Sequence, residues 1–83
     1  MRGACRGCVA RSALVIRPFH IEDRARGRIV ATGVIDAGGR VVWEETEDSV
    51  NGELAALAAE IEQHLAEGYS GGQLRPPLEW FEL

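Results

Sequence analysis

The sequence predicts an α+β fold with the element order β-β-β-α-β: a meander of strands, a crossover helix and a short closing strand. Residues 49–68 repeat apolar side chains at steps of three and four, which is typical of an amphipathic helix. Four shorter segments are rich in β-branched and aromatic residues and are separated by glycine, proline and charged residues. These elements predict one domain, residues 12–83, with the helix packed on one face of the sheet.

Residues 1–11 precede the first apolar segment and are predicted to form a flexible leader. They contain Cys5 and Cys8 in a Cys-x-x-Cys arrangement. A zinc site requires four ligands, and the other candidates, His20 and His64, lack the usual paired spacing. A redox pair requires its first cysteine at a helix N-terminus, and no helical pattern follows here. We interpret the cysteines as reduced thiols, with a metal site or a disulfide as alternatives, and we expect no cofactor.

The first strand is predicted over residues 12–21. Apolar residues occupy both of its faces, with Val15 and Phe19 on the same side, so the strand should lie inside the sheet. Pro18 has no amide hydrogen to donate, so strand pairing should weaken near it. A polar turn over residues 22–27 then leads into the second strand.

Two further strands are predicted over residues 28–36 and 40–45. The segment between them, Asp36-Ala37-Gly38-Gly39, is typical of a hairpin turn because glycine readily adopts the positive φ that such turns need. Gly33 inside the second strand indicates a bulge or a close backbone approach. The short connections predict that the first three strands form an antiparallel meander.

The helix is predicted to begin at Ser49, whose hydroxyl can cap the first turn, or at Asn51. The second start is an alternative because Gly52 weakens the first turn by about 1 kcal/mol relative to alanine. Gly68 is a natural left-handed stop. The apolar stripe that should face the sheet consists of Val50, Leu54, Leu57, Ile61 and Leu65.

The end of the chain combines a loop, residues 69–77, with a closing strand, residues 78–83. Leu78 and Trp80 lie on the same face of that strand. Because a helix precedes it, we expect a right-handed crossover that places the closing strand beside the first strand and parallel to it.

A single helix covers only one face of such a sheet. The uncovered face is predicted to carry Val15, Phe19, Val30, Val34 and Val42. Burial of one large apolar side chain is worth about 1.5–3 kcal/mol, so a patch of this kind usually marks an interface. We therefore predict a homodimer through the sheet or a bound protein partner, with the leader folding across this face as the alternative.

The charge is distributed unevenly along the chain. Residues 1–40 carry eight arginines and three carboxylates (8 − 3 = +5), whereas residues 41–83 carry one arginine and ten carboxylates (1 − 10 = −9). Such an asymmetry can mark a polar surface for a partner. The carboxylates predicted to bind a basic protein partner are Glu44, Glu45, Glu47, Asp48, Glu53, Glu60, Glu62 and Glu67.

Nucleic-acid binding is the alternative function. Arginines near the hairpin end of the meander could contact phosphates. They are Arg17, Arg24, Arg26, Arg28 and Arg40. Against this function, the whole chain has a net charge of −4, and sheets that bind RNA need exposed aromatic residues on adjacent strands, for which only Phe19 and Trp43 are candidates.

Enzymatic activity is not expected. The β-β-β-α-β order resembles the first half of the ribonuclease H-like fold, whose metal-dependent cleavage would need carboxylates from the first strand, the helix and the fourth strand. Glu53 or Glu60 together with Glu79 could supply two of them, but residues 12–19 contain no carboxylate. No serine-hydrolase elbow or zinc-protease motif occurs in the sequence.

In size, charge and lack of a catalytic set, the chain resembles the small inhibitors that phages carry against host defences, such as anti-CRISPR proteins, and it is similar to antitoxins. That resemblance implies a non-enzymatic module that occludes a basic groove of a protein partner. No apolar run approaches the roughly 20 residues of a membrane span, and no secretory signal is evident, so we expect a cytoplasmic protein without a membrane partner.

Overall fold

A computed structural model describes residues 16–83, which form one antiparallel sheet with two helices on one of its faces. The strands are β1 (Arg17–Asp23), β2 (Arg28–Ile35), β3 (Val41–Thr46), β4 (Gly71–Gln73) and β5 (Leu78–Glu82), and the helices are α1 (Asp48–Asn51) and α2 (Leu54–Ala66). The strand order across the sheet is β3-β2-β1-β5-β4. The predicted α+β fold is confirmed. The leader, with Cys5 and Cys8, and Val15 lie outside the described residues.

The meander of β1, β2 and β3 is confirmed, and each of its turns is closed by an aspartate and a glycine. Asp23 ends β1 and accepts hydrogen bonds from the backbone amides of the turn that follows, which ends at Gly27 with φ +67°. Asp36 follows β2 directly, and its Oδ1 accepts from the amides of Gly38 and Arg40 at 2.9 and 3.0 Å. Both turns thus carry the side-chain acceptor that turn sequences favour.

The direction predicted for the closing strand is wrong. β5 lies beside β1, as expected, but runs antiparallel to it. The crossover from α2 leads first into β4, a three-residue strand in the segment that was predicted to be a loop. β4 is antiparallel to β5 and therefore runs parallel to β1, which is the direction predicted for β5. A turn then reverses the chain, closed by hydrogen bonds between the backbones of Leu74 and Leu78 and of Leu78 and Arg75, both 2.9 Å.

The single predicted helix is divided into α1 and α2. The break falls at Gly52 and Glu53, where glycine and the preceding asparagine make the weakest helical positions in this stretch. Ser49 is not the cap: Glu47 occupies the N-cap position of α1, and the Ser49 hydroxyl donates to its carboxylate at 2.7 Å. The predicted stop is confirmed, since Gly68 has φ +94° and its amide donates to a carbonyl of the last helical turn.

The core lies between the sheet and the helices. Its largest side chains are Trp80 and Phe19, both with no exposed surface, and the two rings pack edge to face with centroids 6.3 Å apart. Leu57 and Ile61 of α2 pack against them, as the helical periodicity predicts. Trp80 Nε1 donates to Nδ1 of His64 at 2.8 Å, so the polar atom of this buried indole has an acceptor on the helix.

Two bulges determine which side chains of β2 and β3 face the core. Ile21 pairs with Ala31, but Glu22 pairs with Ile29, so Val30 is an extra residue on β2. Val30 turns toward the helices and is 3% exposed, whereas Ile29 points away and is 51% exposed. A shift of one residue moves a side chain to the other face of a sheet. The second bulge adds one residue to β3 beside Gly33, as the glycine predicts.

Candidate functional site

The described part of the chain is strongly acidic. Residues 16–83 contain six of the nine arginines and all thirteen carboxylates, a formal charge of −7 (6 − 13). Each of these arginines lies within 4 Å of a carboxylate. The pairs are Arg17–Glu82, Arg24–Glu79, Arg26–Asp23, Arg28–Glu47, Arg40–Glu62 and Arg75–Glu53. Six carboxylates are thereby neutralised, and the net charge of −7 resides on the other seven.

Three of the eight carboxylates predicted to bind a partner form ion pairs that link elements of the fold. Glu53 forms two hydrogen bonds with Arg75, both 2.6 Å, which tie the start of α2 to the turn before β5. These bonds lower the pKa of Glu53. Glu47 accepts from Arg28 at 2.7 Å, and that hydrogen bond is the main cause of its lowered pKa. Both carboxylates are thus already occupied by arginine.

The third of them, Glu62, links α2 to the edge of the sheet. Its Oε2 accepts from the backbone amide of Val41 at 2.9 Å and lies 3.4 Å from Nε of Arg40. Val41 begins β3, which is an edge strand of the sheet formed by residues 16–83 and has no neighbouring strand from them on its outer side. Exposed edges invite pairing with other chains, and a helix side chain that takes up an edge amide reduces that tendency.

The remaining five predicted carboxylates are exposed, and none forms an ion pair within residues 16–83. We call them the acidic surface: Glu44, Glu45, Asp48, Glu60 and Glu67. They lie at the end of β3, in α1 and on the outer side of α2. The hydrogen bonds that they accept come from neutral side chains, namely Asn51 to Asp48 at 3.2 Å and Gln63 to Glu67 at 3.5 Å.

The arginines predicted for phosphate binding do not form one cluster. Arg24, Arg26 and Arg28 flank the turn between β1 and β2. Arg17 pairs with Ile35 across the sheet, so it and Arg40 lie at the opposite end. The expectation that all of them gather near one hairpin is wrong, because successive hairpins of a meander turn at alternate ends of the sheet.

The residues predicted for the uncovered sheet face divide into two groups. Phe19 and Val30 belong to the core, so their assignment to that face is wrong. Val34 and Val42 do lie opposite the helices and pair with each other across β2 and β3. Side chains of β5 alternate between the two faces of the sheet, so Trp80 points toward the helices and Phe81 points away from them.

The most buried carboxylate of the described chain is Asp23, at 5% exposure. It accepts from the amides of Ala25 and Arg26 at 3.0 Å and from Nε of Arg26 at 2.9 Å. The hydrogen bond from the Arg26 side chain is the main cause that lowers the pKa of Asp23 below its ordinary value of 3.8. The charged form therefore stabilises the turn between β1 and β2.

We expect the Asp23→Asn variant to be less stable than the wild type at neutral pH, with a difference that shrinks as the pH falls. The contribution of Asp23 is fully present above the unfolded pKa near 3.8 and is lost as the pH falls through the lower folded pKa. Urea denaturation of both proteins between about pH 6 and about pH 2 measures the difference. A difference that is constant with pH would contradict this role.

No group of three or more histidine, cysteine, aspartate or glutamate side chains in residues 16–83 is arranged to hold a metal ion. His64 stands beside Trp80, and His20 packs against Phe81 with ring centroids 5.7 Å apart. The helices between residues 16 and 83 do not include one with the length and apolar character of a membrane span.

Comparisons with protein families, with curated proteins and with solved structures find no significant match to this chain.

Proposed function

We propose that the chain is a small non-enzymatic protein-interaction module that acts in the cytoplasm as an inhibitor and occludes a basic groove of a protein partner. One observation carries this proposal: the arginines of residues 16–83 neutralise the carboxylates that hold the fold, and the acidic surface keeps its charge. The carboxylates of the acidic surface can bind basic groups without breaking an ion pair of the described fold.

The physical role of such a surface is recognition. Exposed charges of one sign attract an oppositely charged partner, raise the association rate and disfavour wrong partners. The effect weakens with salt, because exposed charges are screened over about 8 Å at physiological ionic strength. The size, acidity and resemblance to phage inhibitors and antitoxins support an inhibitor that works by blocking a surface.

The first test reverses charge on the helical part of the acidic surface with Asp48→Arg, Glu60→Arg and Glu67→Arg in one variant. We expect it to lose the partner that the wild-type chain captures from a host lysate, with affinity reduced at least tenfold, or about 1.4 kcal/mol. The same sites neutralised to Asn or Gln serve as the control for side-chain shape and should lose less. The captured protein should also lose activity when the wild-type chain is added in equimolar amount. Equal capture by all three proteins would contradict the proposal.

Nucleic-acid binding is retained as the second candidate because three arginines flank the turn between β1 and β2. All three are already paired with carboxylates, at 2.7–2.9 Å, which makes them poorer phosphate ligands. Fluorescence anisotropy with a generic DNA duplex measures this directly: binding that falls steeply with salt, and is lost when Arg24 and Arg28 are changed to Gln, would favour the second candidate.

Self-association through the sheet is the alternative to a protein partner on the face opposite the helices, and it can be tested with the chain alone. Of the predicted dimer residues between 16 and 83, Val34 and Val42 lie on the face opposite the helices. Sedimentation equilibrium at micromolar concentration distinguishes a dimer held by this face, which Val42→Arg should dissociate, from a monomer.

A further inference from the structure

The face of the sheet opposite the helices has an ordered pattern of side chains. No helix of residues 16–83 packs on it, and we call it the open sheet face. Its central row crosses four strands by direct pairing: Glu45 with Thr32, Thr32 with His20, and His20 with Phe81. The two helices bury their apolar residues on the other side. The central row is therefore mostly polar, with one aromatic pair.

Apolar side chains lie on both sides of that row. Val34 and Val42 form one pair, and Val42 is 47% exposed. Ile29, on the other side, is 51% exposed because the bulge at Val30 turns it outward. An occupant of this face must therefore offer aliphatic surface at two places.

Carboxylates accompany these apolar residues. Glu22 of β1 has Glu79 of β5 as its neighbour on one side and Ile29 of β2 on the other. Arg24 neutralises Glu79 at 2.8 Å. Glu22 and Glu45 form no ion pair with any arginine of residues 16–83.

The charge of Glu22 and Glu45 weighs against a second copy of the chain as the occupant of this face. A second copy of the chain packed face to face would bring another Glu22 and another Glu45 into the same interface. Burying like charges together is costly, because each carboxylate loses water without gaining a counter-charge. A partner that carries arginine or lysine supplies that counter-charge and leaves the aliphatic contacts intact.

We infer that the open sheet face docks a segment of a protein partner that presents both basic and aliphatic side chains on one side. Glu22 and Glu45 bind the basic groups, and Val34, Val42 and Ile29 contact the aliphatic ones. This inference rests on the proposed interaction function and names the surface and the partner chemistry. The helical part of the acidic surface lies on the other side of the sheet, so the two can be tested separately.

The test uses a synthetic peptide of repeated Arg-Arg-Val-Val, which carries both residue types on each face when it is extended, added to the full chain and followed by ¹H–¹⁵N NMR. A peptide of repeated Arg-Arg-Ser-Ser, equal in length and charge, is the comparison. We expect the amide shifts to concentrate at Thr32, Val34 and Val42, and the valine peptide to bind at least tenfold more tightly. Equal affinity of the two peptides, no measurable binding, or shifts confined to α2 would overturn the inference. Shifts confined to α2 would leave the proposed function standing.

Paired variants separate local recognition from net charge. Glu22→Gln with Glu45→Gln should weaken binding of the valine peptide at least tenfold. Glu60→Gln with Glu67→Gln removes the same charge from the other side of the sheet and should weaken it much less; equal losses would overturn the inference. So would a dimer that Val42→Arg dissociates, or nuclear Overhauser contacts between residues 1–15 and Val34, since either places another occupant on the face.

Discussion

Phe19→Ala is expected to destabilise the protein by about 3–5 kcal/mol, the usual cost of removing a buried aromatic ring. The Phe19 ring has no exposed surface and contacts Trp43 and Trp80 edge to face, with centroids 5.7 and 6.3 Å away. The loss combines the apolar transfer energy of the ring with the cavity that two rigid indoles cannot fill by relaxing. Urea denaturation followed by tryptophan fluorescence measures it.

The matched control for that substitution is Val42→Ala. Val42 is 47% exposed on the open sheet face, so its truncation should change stability by no more than about 0.5 kcal/mol. A small domain has a total stability of about 5–15 kcal/mol, and Phe19→Ala alone can bring it close to unfolding. Phe19→Leu, with an expected loss of about 1–2 kcal/mol, keeps the comparison measurable. A loss for Phe19→Leu no larger than that for Val42→Ala would place Phe19 outside the core.

Gly33→Ala is the second substitution with a large expected effect. A Cβ atom at Gly33 would lie 2.5 Å from the carbonyl oxygen of Val42 and 3.0 Å from the ring of Phe19. The obstacle is a backbone atom of the neighbouring strand at the bulge, so relief requires β3 to move away from β2. We expect a loss of about 3 kcal/mol, at the upper end of the usual cost of overpacking.

The same substitution at Gly52 provides the control. No heavy atom lies within 4 Å of the position that a Cβ would take there, and its φ of −78° suits any residue. Gly52→Ala should therefore be neutral or stabilise by about 0.4–1 kcal/mol, because alanine restricts the unfolded chain more than glycine does. Thermal unfolding of both variants by circular dichroism tests the contrast. If Gly33→Ala unfolds at the wild-type temperature, the close contact between β2 and β3 is absent.

The sequence predicts the acidic character of the candidate site but not the ion pairs that its carboxylates form. The excess of carboxylates in residues 41–83 is visible from composition, and Asp48, Glu60 and Glu67 are indeed exposed and acidic. The partners of Glu53 and Glu62 are not predictable in this way. Each binds an arginine 22 residues away, and such a pair exists only once the helix has packed against the sheet.

The sequence by itself determined the elements whose causes are local. The helical periodicity, the stop at Gly68 and the turns at Asp23 and Asp36 depend on side chains within a few residues of one another.

The tertiary structure alone decided what depends on strand register and on distant contacts. The bulge at Val30 exchanges the faces of two neighbouring side chains, and the turn after β4 reverses the direction of the last strand. Periodicity assumes an unbroken alternation, and one inserted residue inverts it. The ion pairs of Glu47, Glu53 and Glu62 also depend on tertiary packing, because each joins residues that are far apart in the sequence.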